Sequence, residues 1–153
     1  MEIKKILWPL DFSEYSLGAL TYVNSMSEKY GAEVHLLYVV EDVHKFDHFY
    51  GDADPHFLEE FQGRIFKKSQ EMLDDICKQK LSSCVGYKKH VKVGNPANVI
   101  LETIKEEGID LVVMSTHGYG ALKPGIYLGG VTGKVIKNSP VPVVAVSPFT
   151  QEL

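Results

Sequence analysis

The segment from residue 114 to residue 133 (MSTHGYGALKPGIYLGGVTG) suggests chemistry more directly than the rest of the chain, because glycine recurs throughout it. The apolar run at residues 109–114 (IDLVVM) has the pattern of a buried strand, and residues 131–138 (VTGKVIKN) are able to open a helix. A strand, a glycine-rich loop and a helix N-terminus present backbone N–H groups and the positive end of a helix dipole to one point. The segment therefore predicts an anion site, for which phosphate is the natural candidate.

Two titratable side chains fit the same chemistry. Asp11 follows the first apolar run of the chain, and His117 lies inside the glycine-rich segment. A carboxylate opposite a phosphate loop is suited to ribose or adenine recognition, whereas the same residue before a helix often acts as its cap; the two roles are compatible. No serine and carboxylate stand at a recognisable triad spacing from His117, which favours loop positioning or phosphate contact over a catalytic base.

Histidines and acids also cluster in an excursion at residues 41–55 (EDVHKFDHFYGDADP) and just after it. A helix would bring His44 and His48 to one face. Gly51 and Pro55 interrupt the segment, however, so a solvated loop is favoured over a physiological metal site. The side chains able to act as ligands are His44, Asp47, His48, Asp52, Asp54 and His56.

Short apolar runs alternate with longer amphipathic segments along the chain, a pattern that predicts parallel strands joined by crossover helices. Ser13 is predicted to cap the first helix and Gly31 to end it. Asn95 and Pro96 supply a cap and a first-turn proline for the third helix, which Gly108 is predicted to stop. The predicted strands are residues 3–10, 33–40, 85–93, 109–114 and 142–146, and the predicted helices are residues 13–30, 56–80, 96–107 and 131–138.

Two of these elements carry a prediction about which side chains are buried. The second helix is predicted to bury a face formed by Phe57, Phe61, Ile65, Met72, Leu73 and Ile76, which recur at spacings of three, four or seven. The third strand is predicted from the alternation of Val85, Tyr87, Val91 and Val93.

Composition narrows the class of protein. The chain has 153 residues, of which 44% are hydrophobic and 24% charged, and one globular domain over residues 1–153 is expected. No apolar stretch approaches the roughly 18 residues of a membrane helix, and the N-terminus leads into a strand rather than a signal peptide. A cytoplasmic protein without a membrane partner is therefore expected. A net charge of −4 argues against a nucleic-acid partner. Cys77 and Cys84 lack a CxxC spacing and are expected to be reduced thiols.

The order of the elements predicts an α/β fold: one doubly wound open sheet of five mostly parallel strands with helices on both faces. In such sheets a ligand binds where the strand order reverses, at the carboxyl ends of the strands. If the first and fourth strands are neighbours at that reversal, Asp11 faces residues 114–118.

Five segments, in this order, carry a resemblance to a known family: KKILWPLDFSE, HLLYVVED, VGNPANVILE, DLVVMSTHG and LGGVTGKVIKNSPVPVVAV. In them the chain resembles the universal stress protein family over nearly its full length. The resemblance implies the α/β fold above and a homodimer joined partly through the last strand. In one branch of the family it also implies binding of ATP, with or without magnesium, and no cofactor-driven reaction.

In the ATP-binding branch the phosphate loop has the pattern G-x2-G-x9-G-(S/T), from which this chain departs three times. Ser115 stands at the first glycine, and ten residues rather than nine separate Gly118 from Gly129. Gly130 replaces the final serine or threonine. Loss of that hydroxyl removes a phosphate hydrogen bond that contributes about 1.5–3 kcal/mol when the acceptor is charged.

Several groups are candidates to compensate for the lost hydroxyl. Gly130 still presents its backbone N–H, Thr132 offers a hydroxyl, and Lys123 or Lys134 supplies charge. By position, the resemblance places Asp11 on ribose or adenine, Pro9 and Leu10 along the base, and the Val39 backbone at the adenine edge. It places Met114, Ser115, His117 and Gly118 along the ribose and phosphates, and Gly129, Gly130, Val131 and Thr132 around the phosphates.

The leading hypothesis is thus a cytoplasmic, homodimeric universal stress protein that binds ATP or a related adenine nucleotide as a regulatory or stress-response module. One alternative is a family member that does not bind ATP and acts as a dimeric protein-interaction module. Another is a slow nucleotide hydrolase in which His117 or Asp11 orients water near a magnesium-bound phosphate. Independently of the resemblance, the short apolar C-terminal segment from Val141 to Val146 is predicted to be an edge strand. Such a strand can pair with the same strand of a second copy of the chain.

Overall fold

The sheet is fully parallel and has the strand order β3-β2-β1-β4-β5. The computed structural model describes residues 1–46, 54–81, 84–118 and 128–148. The doubly wound α/β fold predicted from the sequence is confirmed. The strands are β1 (Lys5–Pro9), β2 (Glu33–Val40), β3 (Tyr87–Val93), β4 (Leu111–Ser115) and β5 (Val143–Val146). The helices are α1 (Glu14–Gly18), α2 (Leu20–Tyr30), α3 (Pro55–Lys80), α4 (Pro96–Glu107) and α5 (Gly130–Asn138), with a short 3₁₀ helix at Val43–Phe46.

Both faces of the central strand β1 are buried. Ile6, Leu7 and Trp8 of β1 are each 0% exposed although successive side chains point to opposite faces. Ile6 and Trp8 pack with Val23 of α2 and with the second half of α3. Leu7 packs on the other face, against α4 and α5. Helices on both faces therefore hold β1 at the centre of the molecule.

Local capping signals place most helix ends where the sequence predicted them. The Ser13 side chain accepts a hydrogen bond from the backbone N–H of Ser16, and Asn95 does the same for Asn98. Gly31 and Gly108 end their helices in the left-handed conformation, with φ of 64° and 63°. The predicted helix over residues 13–30 is interrupted, because Ala19 separates α1 from α2.

The predicted buried face of α3 is wrong in part. Phe57, Phe61 and Met72 are 58%, 42% and 36% exposed. A 26-residue helix is about 39 Å long, whereas the eight-residue strand β2 spans roughly 27 Å, so α3 extends beyond the sheet. Its first half follows the carboxyl end of β2. Exposure nevertheless depends on the face of the helix, because Leu58 is buried beside Phe57 and Leu73 is buried beside Met72. The buried side chains of α3 are Leu58, Ser69, Leu73 and Cys77.

The alternation predicted for the third strand is also wrong, except at Val91, which packs against the core. Val85, Tyr87 and Val93 are 68%, 44% and 39% exposed. The reason is that β3 lies at the edge of the sheet and, among the strands that the structure describes, pairs with β2 alone. Burial nevertheless lowers the pKa of one of its side chains, His90, to about 4.

Two smaller expectations can be compared with the structure. Cys77 and Cys84 are free thiols, and burial raises the pKa of Cys77 to about 11, which leaves it unreactive at neutral pH. In the described parts of the chain, no helix joins enough length to enough apolar character to cross a bilayer.

Two glycines allow a paired test of helix termination. Gly108 holds a left-handed conformation that costs an alanine about 1–2 kcal/mol, whereas Gly63 lies inside α3 with open space at its Cβ position. We expect Gly108→Ala to lower the free energy of unfolding by about 1 kcal/mol and Gly63→Ala to raise it by about 0.5–1 kcal/mol. Urea unfolding followed by circular dichroism measures both changes. Changes of the same sign would contradict this account of the two positions.

Candidate functional site

A cleft opens at the carboxyl ends of β1 and β4, where the strand order reverses. Ile6 pairs with Leu111 and Leu7 with Val112, so β1 and β4 are the neighbours at the reversal, which is the condition under which Asp11 was expected to face residues 114–118. The crossover from β1 leads to β2 on one side of the sheet, and β4 continues to β5 on the other. The connections therefore diverge and leave a cleft of about 730 Å³ between them.

All twelve residues proposed from the sequence lie around this one cleft. They come from four separate places in the chain: the end of β1, the end of β2, the end of β4 and the start of α5. The structure brings together Pro9, Leu10, Asp11, Val39, Met114, Ser115, His117, Gly118, Gly129, Gly130, Val131 and Thr132.

Asp11 lies in a tight turn between β1 and α1. Its Oδ1 accepts hydrogen bonds from the Ser13 backbone N–H at 3.0 Å and from the Ser13 hydroxyl at 2.5 Å. Ser13, rather than Asp11, then caps α1. Phe12 between them has a φ of 62°, a left-handed conformation that is uncommon for an aromatic residue and that tends to occur at functional sites. The turn thereby fixes the Asp11 carboxylate at the cleft.

Gly118 packs directly against this carboxylate. A Cβ added at Gly118 would overlap Asp11 Oδ2 and lie 3.3 Å from Asp11 Cγ. A side chain at residue 118 is therefore incompatible with the present position of Asp11. Gly118 is a position of the phosphate-loop pattern at which this chain keeps the glycine. The absence of a side chain there lets the loop after β4 approach the loop after β1.

Two hydrogen bonds tie the end of β4 to the start of α5. The Gly129 N–H donates to the Thr116 carbonyl at 2.8 Å, and the Thr132 hydroxyl donates to the Ser115 carbonyl at 2.8 Å. Because a threonine hydroxyl has one proton, Thr132 cannot donate to a phosphate while it makes this bond. The first backbone N–H groups of α5 point out of the helix end, as in any α-helix. Backbone groups thus dominate the donors at this end of the cleft.

His117 is held at the mouth of the cleft by its neighbours. Its Nδ1 lies 2.6 Å from the Thr116 hydroxyl, and its backbone N–H donates to Ser115 Oγ at 3.2 Å. The imidazole is inclined to the Tyr15 ring, with 6.3 Å between the ring centroids. These contacts are those of a residue that positions the loop, which is one of the two roles favoured from the sequence; phosphate contact is the other.

Part of the lining of the cleft was not predicted, including the apolar surface that α3 contributes. Ten further residues complete the lining, and two of them, Phe61 and Ile65, come from the half of α3 that extends beyond the sheet. Nothing local in the sequence indicates that this helix passes the carboxyl end of β2. The additional lining residues are Ser16, Leu37, Tyr38, Val40, Glu41, Val43, Phe61, Ile65, Pro96 and Ile100.

Some groups considered from the sequence fall elsewhere. Lys123 lies outside the described residues, and Lys134 is exposed on α5. Of the histidine and acid cluster, Asp47, His48 and Asp52 are also outside the described residues. The Asp54 carboxylate accepts a hydrogen bond from the His56 backbone N–H at the start of α3.

Known proteins are similar to this chain in both sequence and fold. The family model described as "Universal stress protein family" matches residues 2–147. Universal stress protein MJ0577 of Methanocaldococcus jannaschii is 32% identical, over 94% of each chain. A solved structure of MJ0577 has a TM-score of 0.84 and 30% identity, covering 98% of this chain and 99% of that one.

More distant structures of the same fold are described with nucleotides. One from Arabidopsis thaliana is described with AMP bound, at a TM-score of 0.58 and 18% identity, covering 97% of this chain and 94% of that one. A universal stress protein described in complex with cAMP has a TM-score of 0.63 and 18% identity, covering 96% and 98% of the two chains. The match of the family model over almost the entire chain shows that this chain belongs to the universal stress protein family.

Proposed function

We propose that this universal stress protein is a cytoplasmic, single-domain module that binds ATP or a related adenine nucleotide, with or without magnesium, and acts in regulation rather than as a fast enzyme. The observation that carries the proposal is the cleft between β1 and β4. Residues from four places in the chain meet there, and they combine an apolar wall, a fixed carboxylate and a helix N-terminus. An adenine nucleotide has the matching parts in the same order: a flat base, a ribose and anionic phosphates.

The base would lie at the end of the cleft between β1 and β2. The Leu10 N–H donates to the Leu37 carbonyl at 3.0 Å, which is where β1 leaves the sheet. Residues two apart on a strand direct their backbone groups to the same side, so Val39 faces the space beyond β1. Its N–H and carbonyl are suited to the hydrogen-bonding edge of adenine. Ile100 and Met114 would supply apolar surface to the ring.

The phosphates would lie at the N-terminus of α5. The helix dipole favours an anion there by about 0.3–1 kcal/mol, in addition to the individual N–H hydrogen bonds. Gly129 and Gly130 leave the approach to these donors free of side chains. Asp11, across the cleft, would accept hydrogen bonds from ribose hydroxyls. The AMP and cAMP complexes of related folds support this ligand class but share only 18% of their residues with this chain.

A second candidate function is a protein-interaction module that does not bind ATP. The altered phosphate loop favours it, since Gly130 lacks a hydroxyl and the Thr132 hydroxyl already donates to the Ser115 carbonyl. Loss of one phosphate donor, without compensation by Thr132, would weaken ATP binding by about tenfold or more. A nucleotide-free dimer that retains a protein partner would be its signature.

Dimer formation through β5 is part of both candidates. The sheet has two edges, and edge β3 carries Lys88, Lys89 and Lys92, which discourage pairing with another chain. Edge β5 is a short apolar strand, VVAV. The Pro142 and Val146 carbonyls accept hydrogen bonds from β4, so the backbone of Ala145 faces away from the sheet. An antiparallel copy of β5 would pair with that side and form a two-fold dimer.

ATP binding is tested by titration calorimetry on nucleotide-free protein and by mass spectrometry of small molecules released on denaturation. We expect Asp11→Asn to weaken both ATP and adenosine about tenfold or more, because a ribose acceptor is lost. Asp110→Asn is the matched control, since Asp110 lies at the amino end of β4 and bonds to Lys4 and Lys5. The proposal would be excluded if denaturation releases no nucleotide and calorimetry detects no heat of ATP binding.

The role of the phosphate loop in ATP binding is tested by restoring the hydroxyl group that the family pattern has at the position of Gly130. The Cβ position of Gly130 has open space, so Gly130→Ser and Gly130→Ala are both accommodated. We expect the serine to tighten ATP binding about tenfold and to leave adenosine binding unchanged, because it adds one hydrogen bond to a charged group. The alanine variant adds the carbon without the hydroxyl. Equal ATP affinities for the two variants would show that the phosphates do not bind beside residue 130.

The dimer is tested by Ala145→Pro, which removes an outward-facing N–H and leaves the bonds of β5 to β4 in place. Light scattering after gel filtration should show a dimer for the unaltered chain and a monomer for this variant. Ala145→Ser keeps the N–H and should remain dimeric. A dimer that persists in Ala145→Pro would assign the interface to another surface.

A further inference from the structure

Two histidines and a glutamate meet near the amino end of the sheet, away from the nucleotide cleft. His35 is the third residue of β2, and His90 lies on the adjacent strand β3. Glu107 is the last residue of α4, which crosses this face and brings its C-terminus to the two rings. His35 is 1% exposed, whereas Glu107 retains 22% side-chain exposure and leaves a route from solvent. None of the three residues lines the cleft.

The distances between the donor atoms are close to those around a metal ion. His35 Nδ1 lies 3.0 Å from His90 Nε2, and Glu107 Oε2 lies 3.9 Å from His35 Nδ1. One donor atom from each residue lies within 4.8 Å of the others. Two nitrogens on one tetrahedral zinc are about 3.3 Å apart, given Zn–N distances of about 2.0–2.1 Å. The rings therefore need to separate by a few tenths of an ångström, while the flexible Glu107 side chain moves inward.

Hydrogen bonding orients His35 as a metal ligand. His35 Nε2 lies 2.7 Å from Glu33 Oε1, and a carboxylate only accepts, so Nε2 carries the proton. In the neutral ring this leaves the lone pair on Nδ1, directed at His90. A carboxylate that holds the far N–H of a histidine is the usual outer partner of a metal-bound imidazole.

The charges around the cluster include both signs. Glu33 and Glu107 contribute two negative charges beside two imidazole rings, which bind a metal ion in the neutral form. Lys88 and Lys92 bring positive charge close to His90. Without a metal, Lys88 Nζ donates to Glu107 Oε2 at 2.7 Å, and this hydrogen bond lowers the pKa of Glu107. Lys88 is 52% exposed, so it can turn to water at a cost of no more than about 1 kcal/mol. A zinc ion can therefore replace Lys88 at the Glu107 carboxylate.

We propose that His35 Nδ1, His90 Nε2 and a carboxylate oxygen of Glu107 form a zinc site that ties β2, β3 and α4 together, with water as the fourth ligand. Two imidazoles and one carboxylate are a ligand set that zinc favours. On loading, the His90 proton shifts to Nδ1, which lies 4.0 Å from Glu107 Oε1. The cluster shares no residue with the nucleotide cleft, so the zinc site does not depend on the proposed function.

The proposal is tested with Zn²⁺ alone, on full-length protein stripped with a chelator and free of nucleotide. Calorimetry should give one zinc per chain, and zinc should raise the melting temperature. We expect His90→Ala to weaken zinc binding by more than about 100-fold and Glu107→Gln to weaken it by about 10–100-fold. Co²⁺ in place of zinc should give the intense visible absorption of a four-coordinate ion, and His90→Ala should lose it.

Matched controls separate this site from other histidines and from a purely structural cluster. A variant with His44→Gln, His48→Gln and His56→Gln should bind zinc like the unaltered chain. We expect His90→Ala to lower the stability of the metal-free protein as well, so the decisive readout is the zinc-dependent shift in melting temperature. The proposal is overturned if zinc produces no shift in the unaltered chain, if the shift survives in His90→Ala, or if the triple variant abolishes it.

Discussion

The parallel pairing of β1 with β4 is the interaction on which the position of the candidate binding site depends. β2 and β3 extend the sheet to one side of this pair, and β5 extends it to the other. Connections that leave in opposite directions cannot fill the space above the pair, so a cleft there is a consequence of topology. Burial of β1 on both faces holds the pair in place, and the chemistry of the cleft then depends on which residues happen to follow each strand.

Elements governed by local signals could be predicted from the sequence, and those governed by tertiary contacts could not. The bounds of β2 and the ends of α4 matched their predictions because an apolar run, Asn95 and Gly108 act within a few residues. The face of α3 could not be derived in the same way. Its apolar residues cover a wide arc of the helix, and only packing in the folded chain decides that Leu58 is buried while its neighbour Phe57 is exposed.

The same distinction applies to the sites. The twelve candidate residues lie at or just after the carboxyl ends of strands, or at the start of a helix, and topology alone brings such positions to one edge of a parallel sheet. Phe61 and Ile65 reach the cleft through the path of α3, for which the sequence has no local signal. His35 and His90 are 55 residues apart and meet only through the register of β2 and β3. The spacing of histidines along the sequence therefore indicates His44 and His48 as candidate ligands, and not His35 and His90.

The two hydrogen bonds between the end of β4 and the start of α5 have a consequence for the extra residue between Gly118 and Gly129. They hold Gly129 and Thr132 on the carbonyls of Thr116 and Ser115, so contacts outside the connection fix the start of α5 against β4. Lengthening a connection of about ten residues by one costs only about 0.1 kcal/mol in closure entropy. The number of residues across the gap and the position of the helix N-terminus are therefore decoupled, and a departure from the family spacing need not move the backbone donors of α5.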